Sequence, residues 1–192
     1  MFDPITTNET NASAIFGASV APVLEHADFS RERRLPVSQR HTVPTEPAIS
    51  VMTDFTREPP FAVPAERSID YALGKMIVAG VRALFVVRND AAVGLITSYD
   101  IEGERPLEFL ATSGIPEDDE IDVAHIMTHW HDVPRVDMRW VSLAQVADVD
   151  QWFKHGNASH IVVTERGAGG REIVRGLFSR TRLDRQLGRV SI

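Results

Sequence analysis

Val81 Arg82 Ala83 Leu84 Phe85 Val86 Val87 Arg88 Asn89 Asp90 Ala91 Ala92 Val93 Gly94 Leu95 Ile96 Thr97 Ser98 Tyr99 Asp100 Ile101 sets two β-branched and aromatic runs on either side of a polar turn, Arg88 Asn89 Asp90, the pattern of a hairpin. The second run ends on Thr97, with Asp100 three residues later, where a helix is predicted to start. Two readings of that pair stand side by side. In one, it is a capping box: the Thr97 hydroxyl accepts the Asp100 N–H and the Asp100 carboxylate reaches back to the Thr97 N–H. In the other, the unpaired N–H groups of a helix start, helped by the Thr97 hydroxyl, suit a phosphate or carboxylate.

The stretch recurs. Gly114 Ile115 Pro116 Glu117 Asp118 Asp119 Glu120 is an acidic breaker segment, and beyond it the preceding phrase starts again. Val51 Met52 Thr53 returns as Ile126 Met127 Thr128, and Phe61 Ala62 Val63 Pro64 as Val133 Pro134 Arg135 Val136. Prolines confine these short runs to edge or extended segments. A helix with Ser68 as its cap, apolar at Ile69, Ala72, Leu73, Met76 and Ile77 and closed by Gly80, is answered by Leu143, Val146, Val149, Trp152 and Phe153, closed by Gly156. Aligning Gly80 with Gly156 puts Phe85 Val86 Val87 on Ile161 Val162 Val163, His160 on Leu84 and Trp152 on Met76. Aligning Gly94 with Gly176 then leaves six extra residues, which fall in the Gly-rich turn at 166–171. Thr97 Ser98 Tyr99 Asp100 corresponds to Ser179 Arg180 Thr181 Arg182. The chain is thus a tandem repeat: an irregular arm over 1–46, a first repeat over 47–113, an acidic linker over 114–120 and a second repeat over 121–190.

Composition narrows the function. With 192 residues, 43% of them hydrophobic, the chain can bury a sizeable core. A formal net charge of −7 argues against an extended nucleic-acid surface. The absence of Cys removes disulfides, thiolate nucleophiles and thiolate metal sites. No run reaches the roughly 18 apolar residues of a spanning helix. Ala12 to Leu24 carries Pro22 with no Lys or Arg before it, unlike a signal peptide, so a cytoplasmic protein is expected. The arm's one basic cluster, Arg31 Glu32 Arg33 Arg34, reads as a solvated stretch of mixed charge.

Two copies of Met-Thr, strand, helix and a hydrophobic hairpin ending in Gly-apolar-apolar-Thr/Ser resemble the cystathionine-β-synthase (CBS) domain, arranged as the tandem pair called a Bateman module; the first copy completes the motif with Asp100. The resemblance covers about residues 48 to 188. It implies an α/β fold with pseudo-two-fold symmetry, in which small sheets and helices from the two repeats enclose two clefts. It also implies a regulatory rather than catalytic role, an adenosine-containing ligand such as AMP, ADP, ATP or S-adenosylmethionine, no obligatory cofactor, association into a homodimer and signalling to an effector protein. Carried over residue by residue, Thr97 would meet the phosphate and Asp100 the ribose hydroxyls, with Ser98 beside them. The adenine would lie against Ala62, Val63, Arg82, Ala83 and Leu84. The second cleft would comprise Ser179, Arg182, Val133, Pro134, His160 and Arg180. It departs from the pattern, because Arg182 replaces the ribose-binding Asp and breaks the capping box. Arg182 then either faces water or, with Arg175 and Arg180, clamps phosphates. The Pro that the family carries before its Val-Val pair is replaced by Phe85 and by Ile161, whose bulk would narrow either cleft.

Other constellations carry less. His125, His129 and His131, beside Asp132, have spacings that a metal could use, with His125 and His129 sharing a helical face. The repeat places them at the start of the second copy, away from the clefts. No nucleophile with an evident base, Walker loop or Rossmann fingerprint appears. The remaining alternative is an interaction module that dimerises through its helices without a ligand.

Overall fold

The computed structural model describes Leu24 and residues 41–89, 91–114 and 120–189. The basic cluster at 31–34, most of the arm and most of the acidic linker lie outside the described residues. After a 3-10 turn over Ala48–Val51 come β1 (Thr53–Asp54), β2 (Ala62–Pro64), α1 (Ile69–Ala79), the hairpin of β3 (Ala83–Arg88) and β4 (Ala91–Thr97), α2 (Ser98–Glu102) and α3 (Arg105–Ser113). The second half runs through α4 (Val123–Ile126), β5 (Thr128–His129), β6 (Arg135–Asp137), α5 (Met138–Leu143), α6 (Val146–His155), β7 (His160–Arg166), β8 (Glu172–Ser179) and α7 (Arg180–Gln186).

Local chemistry explains where these elements start and stop. Ser68 Oγ accepts the Tyr71 N–H at the head of α1, and Gly80 closes that helix in the left-handed region at φ 66°. At the head of α2 the full capping box of Thr97 and Asp100 is present. Ser179, its counterpart, makes no side-chain cap on α7, as expected once Arg182 replaces the acid.

Two four-stranded sheets result, in the orders β2-β3-β4-β5 and β6-β7-β8-β1. Each half therefore lends its first strand to the other half's sheet. Thr53 stands opposite Leu177 and Asp54 opposite Gly176; Thr128 stands opposite Leu95 and His129 opposite Gly94. The lent strands explain the recurring Gly and Met-Thr positions. A Cβ on Gly94 would lie 2.5 Å from the Thr128 carbonyl and 2.8 Å from Met127 Sδ; one on Gly176 would lie 2.6 Å from the Thr53 carbonyl and 2.7 Å from Met52 Sδ. Only a glycine lets the strand approach this closely.

Packing follows the same exchange. Ile121, Val123, Ile126 and Met127 sit in the core beneath α1, whereas Ala48, Val51 and Met52 sit in the core beneath α6. Boundaries at 47 and 121 divide the sequence repeat, and the packing crosses them. A third cluster, including Phe55, Phe85, Val87, Leu95, Val162 and Val174, joins the two sheets face to face, and Leu24 packs against it.

The register corrects the glycine-based alignment by one residue. Ala83 pairs with Thr97, and His160 with Ser179, so His160 occupies the place of Ala83 rather than Leu84. Ala62 faces Phe85 and Arg135 faces Val162, which makes Phe61 the counterpart of Pro134 and Val162 that of Phe85. Phe153, 3% exposed, fills the role of Met76, and Trp152 is only partly buried. The cause is that the two glycines do different work: Gly80 is left-handed, while Gly156 is extended at φ −110°.

Candidate functional site

Two clefts open between the halves, and each draws on both. The larger, about 500 Å³, has Thr97, Tyr99 and Asp100 on one side and Val133, Pro134 and His160 on the other. The smaller, about 160 Å³, has Ser179, Arg182 and Arg185 facing Phe61, Arg82 and Ala83. This crosses the grouping expected from sequence. Because the sheets pack face to face, the residues across from Thr97 are the strand starts of the second half, and those across from Ser179 belong to the first. Val133, Pro134, His160 and Arg180 thus join Thr97 and Asp100, whereas Arg82 and Ala83 join Ser179 and Arg182.

Ala62, Val63 and Leu84 are fully buried and line neither cleft. Both faces of β2 and β3 are covered, with Val63 and Leu84 in the core under α1 and Ala62 between the sheets. Ser98 is likewise buried, its Oγ without a hydrogen-bond partner, and it lines neither cleft.

In the larger cleft Asp100 is held on both oxygens. Oδ2 accepts the Thr97 N–H at 2.8 Å and the Thr97 hydroxyl at 2.7 Å, and Oδ1 lies 3.0 Å from Arg105 Nη1. Arg105 also lines the cleft and donates to the Ile126 carbonyl (2.8 Å) and to Thr128 Oγ1 (3.2 Å). Sequence reading passed over Arg105; its place one turn beyond Asp100, before the helix-starting Pro106, was the available signal. Thr128 lines this cleft too, so the Met-Thr motif lies at the site rather than away from it. Arg180 directs Nη2 to the carbonyls of Phe153 and Gly156, the latter at 2.6 Å, and so closes the end of α6.

His160 and Thr181 line both clefts and form a shared wall. The imidazole is 5% exposed and shares a 2.9 Å hydrogen bond between Nδ1 and Ser159 Oγ. Burial pushes its pKa down to about 4, and the Arg82 charge acts in the same direction. On the other side of the wall, Arg182 Nη1 donates to Thr53 Oγ1 at 2.8 Å. Burial also lowers the Arg182 pKa, opposed by Glu58. Phe85 narrows the smaller cleft as expected; Ile161 is wholly core and narrows neither.

The histidines do not share a helical face: α4 ends at Ile126 and His129 lies in β5. His125 stacks on Phe109, His129 on His131, and His131 pairs with Asp132. Among the described residues no group of three His, Asp or Glu could hold a metal ion.

The CBS domain family matches residues 50–104. Those residues are a CBS domain. The match ends before the second repeat, whose elements nevertheless reproduce the CBS order and complete the CBS sheets by strand exchange. In structure the chain is similar to an uncharacterized conserved protein from Pyrococcus horikoshii (TM-score 0.53, 21% identity, 79% of this chain and 98% of that one). It is also similar to a CBS-domain-containing protein from Agrobacterium tumefaciens (TM-score 0.51, 18% identity, 80% and 98%). A third similar structure is the CBS domain of a bacterial CNNM/CorC family Mg2+ transporter, solved with an inhibitor (TM-score 0.50, 17% identity, 77% and 79%). These likenesses establish the fold, a CBS pair. No curated protein matches the chain in sequence. No helix among the described residues is long and apolar enough to cross a membrane.

Proposed function

We propose that this CBS pair is a regulatory module that takes an adenosine-containing ligand, AMP, ADP, ATP or S-adenosylmethionine, in the larger cleft and passes its occupancy to a partner protein. The observation that carries the reading is a preorganised Asp100 carboxylate at the wall of a cleft whose volume, about 500 Å³, falls within the roughly 300–1,000 Å³ of small-molecule pockets. Thr97 and Arg105 fix the carboxylate, and its remaining lone pairs suit the vicinal hydroxyls of a ribose. Leu95, Val133 and Pro134 supply apolar surface for a flat base, and Arg105 supplies positive charge beside it. Both repeats line the cleft, so a ligand bridges them and changes how they sit together. That is the physical means of signalling.

Exposed apolar side chains on α1, with Ile77 72% and Val78 57% exposed, support assembly of the pair as a homodimer through its helices. The deciding experiment is calorimetric titration with AMP, ATP and S-adenosylmethionine on wild type and Asp100→Ala. Saturable binding that Asp100→Ala weakens is expected. If no adenosyl ligand binds at millimolar concentration, the interaction-module alternative stands instead.

A further inference from the structure

The smaller cleft concentrates charge of one sign in a chain whose net charge is −7. Arg82, at the head of β3, and Arg182 and Arg185, on α7, all line it, and no acidic residue does. Arg182 gives one N–H to Thr53, while its Nε is buried without a hydrogen-bond partner. A buried donor left unmade costs free energy that an incoming acceptor recovers. Glu58 acts on Arg182 electrostatically but does not line the cavity.

Size and chemistry then restrict the occupant. At about 160 Å³ the cavity is smaller than the roughly 300–1,000 Å³ of pockets that enclose drug-sized ligands, so a whole nucleoside is excluded. Several water-sized volumes of about 30 Å³ each do fit. Arg182 stands where the first repeat has Asp100, so this cleft lacks the carboxylate that would accept sugar hydroxyls. Guanidinium forks match the oxygens of a phosphoryl group in charge and geometry.

We propose that the smaller cleft is a site for a compact phosphate-class anion, held by Arg82, Arg182 and Arg185. The phosphoryl group comes either from free phosphate or pyrophosphate, or from the terminal phosphates of a nucleotide that reaches past His160 and Thr181. The site uses neither Thr97, Asp100 nor Arg105, so it stands or falls separately from ligand binding in the larger cleft.

The test is calorimetric titration of the full chain with inorganic pyrophosphate at fixed ionic strength. Saturable binding is expected. Arg82→Gln and Arg185→Gln remove exposed side chains without touching the core, and each weakens binding about tenfold, the scale of one charge-assisted contact. Arg182→Gln weakens it further and Arg182→Lys restores part, with thermal unfolding confirming that the variants fold. Asp100→Ala leaves pyrophosphate binding intact, which separates this site from the adenosyl site. Titration with ATP as competitor assigns the source: competition lost in Asp100→Ala means a nucleotide spans both clefts, and competition retained means the phosphoryl site acts alone. No saturable binding at millimolar pyrophosphate, or equal affinity in wild type and the Arg82→Gln, Arg185→Gln double variant, overturns the proposal.

Discussion

Arg105 Nη1 lies 3.0 Å from Asp100 Oδ1, and the same nitrogen donates to the Ile126 carbonyl and to Thr128 Oγ1. One guanidinium therefore ties the start of α3 to the capped start of α2 and to the lent strand β5. Asp100 is consequently engaged on both oxygens before any ligand arrives.

Arg105→Ala breaks this tie. Because the side chain is 45% exposed, solvent screens much of the ion pair, and a stability loss of about 1 kcal/mol is expected rather than several. A shift in the urea midpoint at unchanged slope measures it. The same variant should weaken binding of an anionic adenosyl ligand more than that of adenosine, since only the former meets the lost charge.

Alanine at three glycines should give opposite signs. Gly94→Ala and Gly176→Ala drive a Cβ against the carbonyls of Thr128 and Thr53, and each should cost about 1–3 kcal/mol as overpacking, or more where the lent strand detaches. Gly74→Ala, inside α1 with nothing within 4 Å of the added atom, should gain about 0.5–1 kcal/mol from helix propensity. Equilibrium unfolding of the three variants decides between these outcomes.

His160 sets a pH dependence. Burial holds its pKa at about 4, against an ordinary 6.5. Above pH 6.5 the ring is neutral folded and unfolded and contributes no slope. As pH falls from 6.5 towards 4 the unfolded chain takes up a proton that the folded chain refuses, so stability declines, by on the order of 3 kcal/mol at most. His160→Leu should flatten the thermal midpoint across that window.

Asp150 governs the next window down. The Arg189 guanidinium, with Nη2 2.7 Å from Oδ2, and then Lys154 at 2.8 Å hold its pKa at about 2, against 3.8, with burial opposing them. A depressed carboxyl stabilises the fold above its unfolded value, and that stability is lost as pH falls from about 4 to 2. Arg189 is 39% exposed, so the screened contribution is about 1–2 kcal/mol. In Arg189→Ala the acid-side decline between pH 4 and 2 should shrink, as circular dichroism melts would show.

Much of this fold was legible because it is written in local chemistry. Ser68 and Gly80 bound α1, Thr97 and Asp100 form their box, and the hairpin returns with a longer turn. What could not be read depends on contacts between distant residues. Strand exchange pairs Thr53 with Leu177 and Thr128 with Leu95, and nothing in a two-residue strand names its partner. From that exchange and the face-to-face sheets follows the crossing of the clefts, which set Arg82 beside Arg182 instead of Asp100. The one-residue slip at His160 arose because Gly80 and Gly156 share an identity but not a conformation. Arg105 was missed because its function lies in a pairing with Asp100 that only the turn between α2 and α3 creates.

The lent strands have a consequence beyond either cleft. A lone repeat of this kind owns three strands of its sheet and holds out a fourth that it cannot use, leaving one sheet edge open and one strand unpaired. Two identical repeats satisfy one another only by trading. The chain is therefore a domain-swapped dimer joined into a single polypeptide. Its halves must fold as one cooperative event, because neither has a finished sheet until the other delivers it.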